Sequence, residues 1–315
     1  MILKTIYKKI KEYDKIIIYG HKRPDGDCYG AQFGLKDIII NSFPNKKVYV
    51  TSEISEYVSF VGTPDIKIPN DLEDSFYEDA LSIVVDTATK DRVSNPKYIL
   101  GKEVIKIDHH EPIDNYGDYI WVDTNFPSCA QMIAYFFTQF KKLKMSSVGA
   151  TAMYTGIVTD TGRFRYRGVT KETHELAGLL INHGADITYI DSKLSTETLN
   201  MIRYKGYVYE NFITDNGFVY LKITNEIKKK FELSQEDASS IVNLLGGIEG
   251  YPIWAIFLEE EGKETIRVRL RSNGPDIDKL ANKFEGGGHK MAAGATLKNW
   301  DELPKFIKEV HNTLK

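Results

Sequence analysis

The sequence of 315 residues has only two cysteines, Cys28 and Cys129, too few for a disulfide framework and without zinc-binding spacing. Both read as small buried hydrophobes of a reducing, cytoplasmic compartment. Neither sign of charge is in large excess, since 41 Lys and Arg stand against 44 Asp and Glu for a formal net charge of -3. That balance excludes a broad basic face for long nucleic acid, because neutralising many phosphates takes surplus Lys and Arg. Short anionic substrates stay open. No apolar run approaches the ~20 residues a membrane helix needs. The opening stretch MILKTIYKKIKEYDK interleaves charged and apolar residues at helical spacing, so it reads as an amphipathic helix rather than a signal peptide or a membrane span. Internal repeats and low-complexity tracts are missing as well.

What is present reads as an ordinary soluble globular protein, 42% hydrophobic and 27% charged, long enough for two domains with separate cores. Ile16 to Tyr19 reads as a buried strand, followed by a turn at Pro24-Asp25-Gly26 and a helix to about Asn41. Further strands are expected at Val48–Val50, Leu81–Val85, Val104–Ile107 and Ile120–Val122. Strands separated by helical segments predict a parallel, doubly wound α/β sheet. Helices are expected from Ser128 to Phe140, from Ser147 to Asp160 and from Lys171 to His183, where Gly184 stops the last one. The character changes after a helical connector over 186–208. Asp215-Asn216-Gly217 marks a hairpin, Ser234 a helix N-cap, and Trp254–Leu258 with Thr265–Leu270 two strands of a meander. A Gly286-Gly287-Gly288 loop and an amphipathic helix complete a smaller α+β domain. The expected organisation is a metal-binding domain over 1–185, the connector, and a substrate-binding domain over 209–315.

Chemistry concentrates at the carboxyl ends of the expected strands, where open α/β sheets bind their ligands. His21 with Asp25 and Asp27 follows the first strand. Asp86 ends another, Asp108-His109-His110 ends the next, and Asp160 closes an apolar helix. Each has a plain alternative as a polar turn, a helix cap or a satisfied core histidine. Four such segments delivering five carboxylates and three imidazoles to one sheet edge exceed what a single ion can use. Two ions sharing a carboxylate can use them, an arrangement suited to in-line displacement at phosphorus, and the mixed N/O set suits Mn2+. Adjacent residues of an extended chain point to opposite sides, so unless the chain turns there His109 and His110 are expected to do different jobs. Further along, Arg267, Arg269 and Arg271 fall on one face of their strand, and with the glycine loop and His289 they make a site for a terminal phosphate.

The segments HKRPDGDCYG, VVDTATKDR, KIDHHEP and GIVTDTGRF resemble the ordered motifs of the DHH phosphoesterase family. RVRLRS followed by EGGGHKMAAG resembles the C-terminal domain that accompanies it in the oligoribonuclease, 3′-phosphoadenosine-5′-phosphate phosphatase and linear-dinucleotide phosphodiesterase subfamily. The resemblance implies two Mn2+ ions, one held by His21, Asp25 and Asp86, the other by Asp27, Asp86, His109 and Asp160. It implies that Asp108 orients a neighbouring histidine and that His110 contacts the transition state. Arg271 and Ser272 are its most firmly implied substrate contacts, ahead of Arg267 and Arg269. The family commonly has a glycine where Glu285 stands. The implied activity is hydrolysis of very short RNA or DNA oligonucleotides and dinucleotides to nucleoside 5′-monophosphates, with no membrane partner and with a homodimer left open. Alternatives are direct cleavage of cyclic di-AMP, an inorganic pyrophosphatase, and a cyclic dinucleotide receptor without turnover.

Overall fold

The computed structural model describes residues 2–69, 72–166 and 168–315. It forms two compact units, Met1–Thr196 and Glu197–Lys315.

In the first unit the order is α1 (Ile2–Glu12), β1 (Lys15–Tyr19), α2 (Gly26–Ser42), β2 (Lys47–Ser52), β3 (Ile66–Lys67), β4 (Leu81–Val85), β5 (Glu103–Asp108) and β6 (Tyr119–Val122). Then come α3 (Cys129–Thr138), α4 (Ser147–Asp160), α5 (Lys171–Asn182) and α6 (Ile187–Ser195). Among the described residues the strands make one six-stranded parallel sheet in the order β3-β2-β1-β4-β5-β6. The order reverses between β1 and β4, and that reversal opens a crevice at their carboxyl ends. His21 leaves β1 there and Asp86 leaves β4.

Alternation of side chains across each strand divides the core into two layers. Ile16, Ile18, Ile83 and Ile105 meet Ile6, Leu35, Met132 and Ile157 from the helices. Ile17, Tyr19, Val84 and Val104 meet Tyr77, Tyr98 and Tyr116 on the opposite face. That second layer is carried by 3-10 turns at Asp74–Phe76 and Pro96–Leu100 and by loops, not by the α-helices a doubly wound sheet leads one to expect.

Close helix contact brings the later carboxylates to the crevice. A Cβ on Gly30 of α2 would stand 2.7 Å from the Ala152 carbonyl oxygen and 2.9 Å from the Gly156 Cα of α4. A Cβ on Gly26 would stand 2.3 Å from the Thr159 hydroxyl oxygen. With no side chain at these positions the two backbones touch, and the start of α2, carrying Asp27, meets the end of α4, carrying Asp160.

The second unit has α7 (Leu199–Asn211), β7 (Ile213–Asp215), β8 (Phe218–Ile223), α8 (Asn225–Lys230), α9 (Gln235–Ser240), β9 (Ile253–Glu259) and β10 (Ile266–Ser272). It closes with α10 (Asp278–Asn282), β11 (Gly287–His289), β12 (Ala292–Leu297) and α11 (Leu303–Thr313). Its sheet runs β11-β12-β10-β9-β8-β7, with β8 and β9 parallel and the other pairs antiparallel. The β7–β8 turn uses Asn216 and Gly217 at φ 45° and 87°, the left-handed pair a tight hairpin requires. Ile266, Val268 and Leu270 pack with Phe284 and Phe306 on one face, while Ile256 and Leu258 pack with Tyr204 and Val208 on the other. The glycine segment, expected as a loop, is instead an edge strand, because Gly287, Gly288 and His289 pair with Gly294, Ala293 and Ala292.

Candidate metal centre

Asp86 is the centre of the crevice. It is buried, holds φ at 53°, and its amide donates to the Ile107 carbonyl across the β4–β5 edge, 2.9 Å away. Its Oδ2 lies 3.4 Å from His21 Nε2 and its Oδ1 3.4 Å from His109 Nε2. His109 Nε2 is also 3.6 Å from Asp27 Oδ2 and 3.5 Å from Asp160 Oδ2. Asp25 Oδ1 is 3.7 Å from His21 Nε2.

These separations are long for hydrogen bonds between charged groups and suit donors arranged around a shared cation. Three further observations fit a divalent ion. Asp86 Oδ1 is buried and makes no hydrogen bond among the described residues. His21 Nδ1 lies 2.9 Å from the Lys22 carbonyl oxygen and His109 Nδ1 3.2 Å from that of Phe126. Donation from Nδ1–H to those carbonyls turns each Nε2 lone pair towards the carboxylates, the usual outer support of a metal-binding imidazole. Third, the groups Asp27, His109, Asp160 and Asp86, His109, His110 each bring their ligand atoms within 4.8 Å of one another. His21, Cys28 and Asp86 make a similar group. The Cys28 thiol is raised well above its ordinary value by burial and by Asp86.

Without an ion, protons hold this cluster together. Burial opposes a charge on His21, but its contacts with Asp25 and Asp86 push it up to about 11. His109 rises to about 10 against its own burial, through Asp86 and the charges of Asp27 and Asp160. Asp160 is pushed up to about 7 by burial and by Asp86. Asp27 is held well above the carboxylate range by burial and by the same neighbours. Asp86 stays below it in spite of burial, because His109 and His21 face it.

Local structure fixes each group. Asp25 caps α2 through Oδ1, which accepts from the amides of Asp27 and Cys28 at 3.0 and 3.1 Å. The polar-turn reading and the ligand reading of Asp25 thus describe one side chain. Asp27 accepts from the amides of Cys129 at 2.6 Å and Ala130 at 2.8 Å, so the first turn of α3 holds it. The sequence presented α3 only as core, and Ser128 as its N-cap was the available signal.

At the motif that ends β5, Asp108 Oδ1 lies 2.8 Å from His110 Nδ1, and that contact holds the buried Asp108 below the usual carboxylate range against its burial. The chain turns beyond β5, the exception to opposite-side placement, so His109 and His110 share one side, their rings 4.5 Å apart. Sequence reasoning passed over Lys106. It is fully buried, donates to the carbonyls of Ala88 at 2.9 Å and Asp114 at 3.0 Å, and sits 3.4 Å from Asp108 Oδ2. It therefore ties the loop after β4 to the loop after β5 and steadies Asp108; a lysine inside an apolar run was the signal.

In the second unit, cross-strand register sets Arg271, Ala292 and His289 in one row and Arg269, Gly294 and Gly287 in the next. Directly opposed residues share a face, so the three arginines stand over small residues. Arg267, Arg269, Glu285, Gly286, Gly287 and Thr296 border a recess of about 270 Å³. Arg271 turns back, with Nη1 donating to the Leu270 carbonyl at 2.9 Å. Ser272 faces the other side, is buried, and donates to the Pro275 carbonyl at 2.6 Å. Gly286 earns its place by packing, since a Cβ there would lie 2.0 Å from the Gly294 carbonyl oxygen.

A doubly wound sheet with a His/Asp cluster at its switch point defines an α/β protein with the donor set for divalent cations. Residues 15–157 match the DHH family N-terminal domain and residues 215–315 the DHHA1 domain. The chain belongs to the DHH family. It is similar to the bifunctional oligoribonuclease and PAP phosphatase of Bacillus subtilis, 36% identical over 98% of this chain and 98% of that one. The protein of the same description in Mycoplasma genitalium is 35% identical over 95% of this chain and 94% of its own length. An exopolyphosphatase-related protein from Bacteroides fragilis shares the fold with a TM-score of 0.86 at 24% identity, covering 98% of this chain and 94% of that one.

Proposed function

We propose that the chain is a manganese-dependent phosphodiesterase that hydrolyses very short oligonucleotides, linear dinucleotides among them, to nucleoside 5′-monophosphates, and that it also dephosphorylates 3′-phosphoadenosine-5′-phosphate. The observation that carries this reading is Asp86, whose two carboxylate oxygens each face an imidazole at 3.4 Å while Oδ1 has no hydrogen bond among the described residues. The relatives described as oligoribonucleases and PAP phosphatases supply the substrate class. His21, Asp25 and Asp86 would hold one Mn2+ and Asp27, Asp86, His109 and Asp160 the other. Such a pair supplies Lewis acidity at the phosphoryl oxygens and lowers the pKa of an attacking water.

The remaining work falls to this chain's own groups. Asp108, kept ionised, binds His110 at Nδ1, so that Nε2 is the nitrogen left to donate to a phosphate oxygen as charge develops. Lys106 keeps Asp108 from turning away. Arg267, Arg269 and Arg271, with Arg269 beside Gly294 and Gly287, hold a terminal phosphate, and Ser272 supports the turn beyond them.

The test is a product-resolved assay with Mn2+ across a 5′-phosphorylated dinucleotide, a longer oligomer, 3′-phosphoadenosine-5′-phosphate, cyclic di-AMP and pyrophosphate. The expected ranking by kcat/KM puts the dinucleotide first and nucleoside 5′-monophosphate as its product. Faster release of phosphate from pyrophosphate than cleavage of any nucleotide would make the protein a pyrophosphatase instead.

A further inference from the structure

On a segment fastened to the loop and helix of Asp25 and Asp27 stands a ring that neither the metal cluster nor the arginine face uses. Tyr57 is 60% exposed, the most exposed tyrosine among the described residues, and Ile54 beside it is 55% exposed. Single exposed apolar groups are common. What distinguishes Tyr57 is the rigidity of its support. It lies in the 3-10 turn Glu56–Val58 after β2, and that segment is fastened to the loop and helix that carry Asp25 and Asp27. The Arg23 amide donates to Glu53 Oε2 at 2.8 Å, the Tyr29 hydroxyl to the Glu53 carbonyl at 2.8 Å, and the Ser55 amide to the Tyr29 hydroxyl at 3.2 Å. Val58, the next residue, is buried with Tyr29 and Ala152.

Electrostatics locate the ring further. Crowding raises the phenol above its ordinary value, Asp25 adds to the rise and Arg163 opposes it. Arg163 follows Asp160 by three residues and is held by Asp191 and Ser195. The exposed ring therefore feels the charges of both Asp25 and Arg163, and the hydrogen bonds above fasten its segment to the loop that carries Asp25. A flat, exposed aromatic face on a fixed post beside a phosphoester site matches one ligand chemistry in particular. Nucleobases stack on such rings, contributing about 1–3 kcal/mol each, and every base offers a π-face.

We propose that Tyr57 is a nucleobase platform that stacks a base of the substrate next to the scissile phosphate. The inference rests on the phosphodiesterase reading above and adds to it a contact that distinguishes nucleotides from other phosphoesters.

The experiment compares wild type, Tyr57→Ala and Tyr57→Phe on a 5′-phosphorylated dinucleotide and on the same backbone with each base replaced by hydrogen. Tyr57→Ala should raise KM for the base-bearing dinucleotide by about 5- to 150-fold, the range the stacking energy implies, with kcat within twofold. Tyr57→Phe should restore the wild-type KM, and the base-free substrate should have the same KM with wild type and Tyr57→Ala. An unchanged KM for the base-bearing dinucleotide in Tyr57→Ala, or an equal rise for both substrates, overturns the platform while leaving the phosphodiesterase reading intact. Wild-type protein that cleaves neither substrate overturns that reading and the platform with it.

Discussion

His109 and His110 are anchored differently, and the proposed function accordingly gives them separable tasks. His109 is backed by the Phe126 carbonyl and faces three carboxylates, whereas His110 is backed by Asp108 and is 45% exposed. His109→Ala should therefore lower Mn2+ affinity by about 10- to 100-fold or more. His110→Ala should retain the metal and lose about 10²–10⁴ in kcat. Elemental analysis with single-turnover rates separates the two, and equal metal loss in both variants would merge the roles. The proton load of the metal-free cluster leads to a second prediction. His21 and His109, at about 11 and 10 against an ordinary 6.5, and Asp160, at about 7 against 3.8, all bind protons more tightly when folded. Their stabilisation is complete below the ordinary values and is lost as pH rises through the folded ones. In chelator, Tm should accordingly fall as pH rises from 6 towards 10. Bound cations displace those protons, so apparent Mn2+ affinity should climb roughly tenfold per pH unit for each proton released. Titration calorimetry in buffers of different ionisation enthalpy counts that release, and pH-independent affinity would contradict it. The His and Asp residues that the structure gathers around Asp86 stood out in the sequence because each sits at an element boundary. Lys106 did not, since nothing in a strand pattern says that a lysine can be buried when two carbonyls and a carboxylate await it.

The pair α2 and α4 sets the geometry that no single residue can. Gly30 lets the helices approach until backbone meets backbone, and their touching ends carry Asp27 and Asp160. Gly30→Ala should cost about 1–3 kcal/mol by overpacking and lower metal affinity by forcing those carboxylates apart. Chemical denaturation with and without Mn2+ measures both effects, and a variant with unchanged stability and affinity would show that the helices have room to spare. The helices themselves were legible from apolar spacing and, for α5, from the stop at Gly184. Their closeness was hidden, because glycine in a helix carries no periodic signal. The glycine segment of the second unit was misread for a related reason, since three consecutive glycines favour a loop until a partner strand at Ala292–Leu297 offers hydrogen bonds.

Across the whole chain, the parallel sheet followed from short apolar runs separated by helical segments, and four strands of the second sheet from alternation and turn chemistry. The cover over one face of the parallel sheet did not. Between Glu53 and Ala80 the sequence has neither period, and Tyr77, like Tyr98 and Tyr116 from later segments, finds its place only against β1, β4 and β5. No helix among the described residues is long and apolar enough to cross a membrane. The chemistry converges on Asp86, and its backbone makes a clean substitution available, because asparagine tolerates the left-handed φ of 53° as aspartate does. The decisive measurement is hydrolysis of a 5′-phosphorylated dinucleotide in Mn2+ by wild type and Asp86→Asn, with metal content and folding checked on the same samples. The expected result is rapid turnover by the wild type and, in a variant that stays folded, loss of bound metal and of several powers of ten in rate. An Asp86→Asn protein that turns over like wild type, or a wild type that binds the dinucleotide without cleaving it, would contradict a metal-dependent phosphodiesterase centred on Asp86.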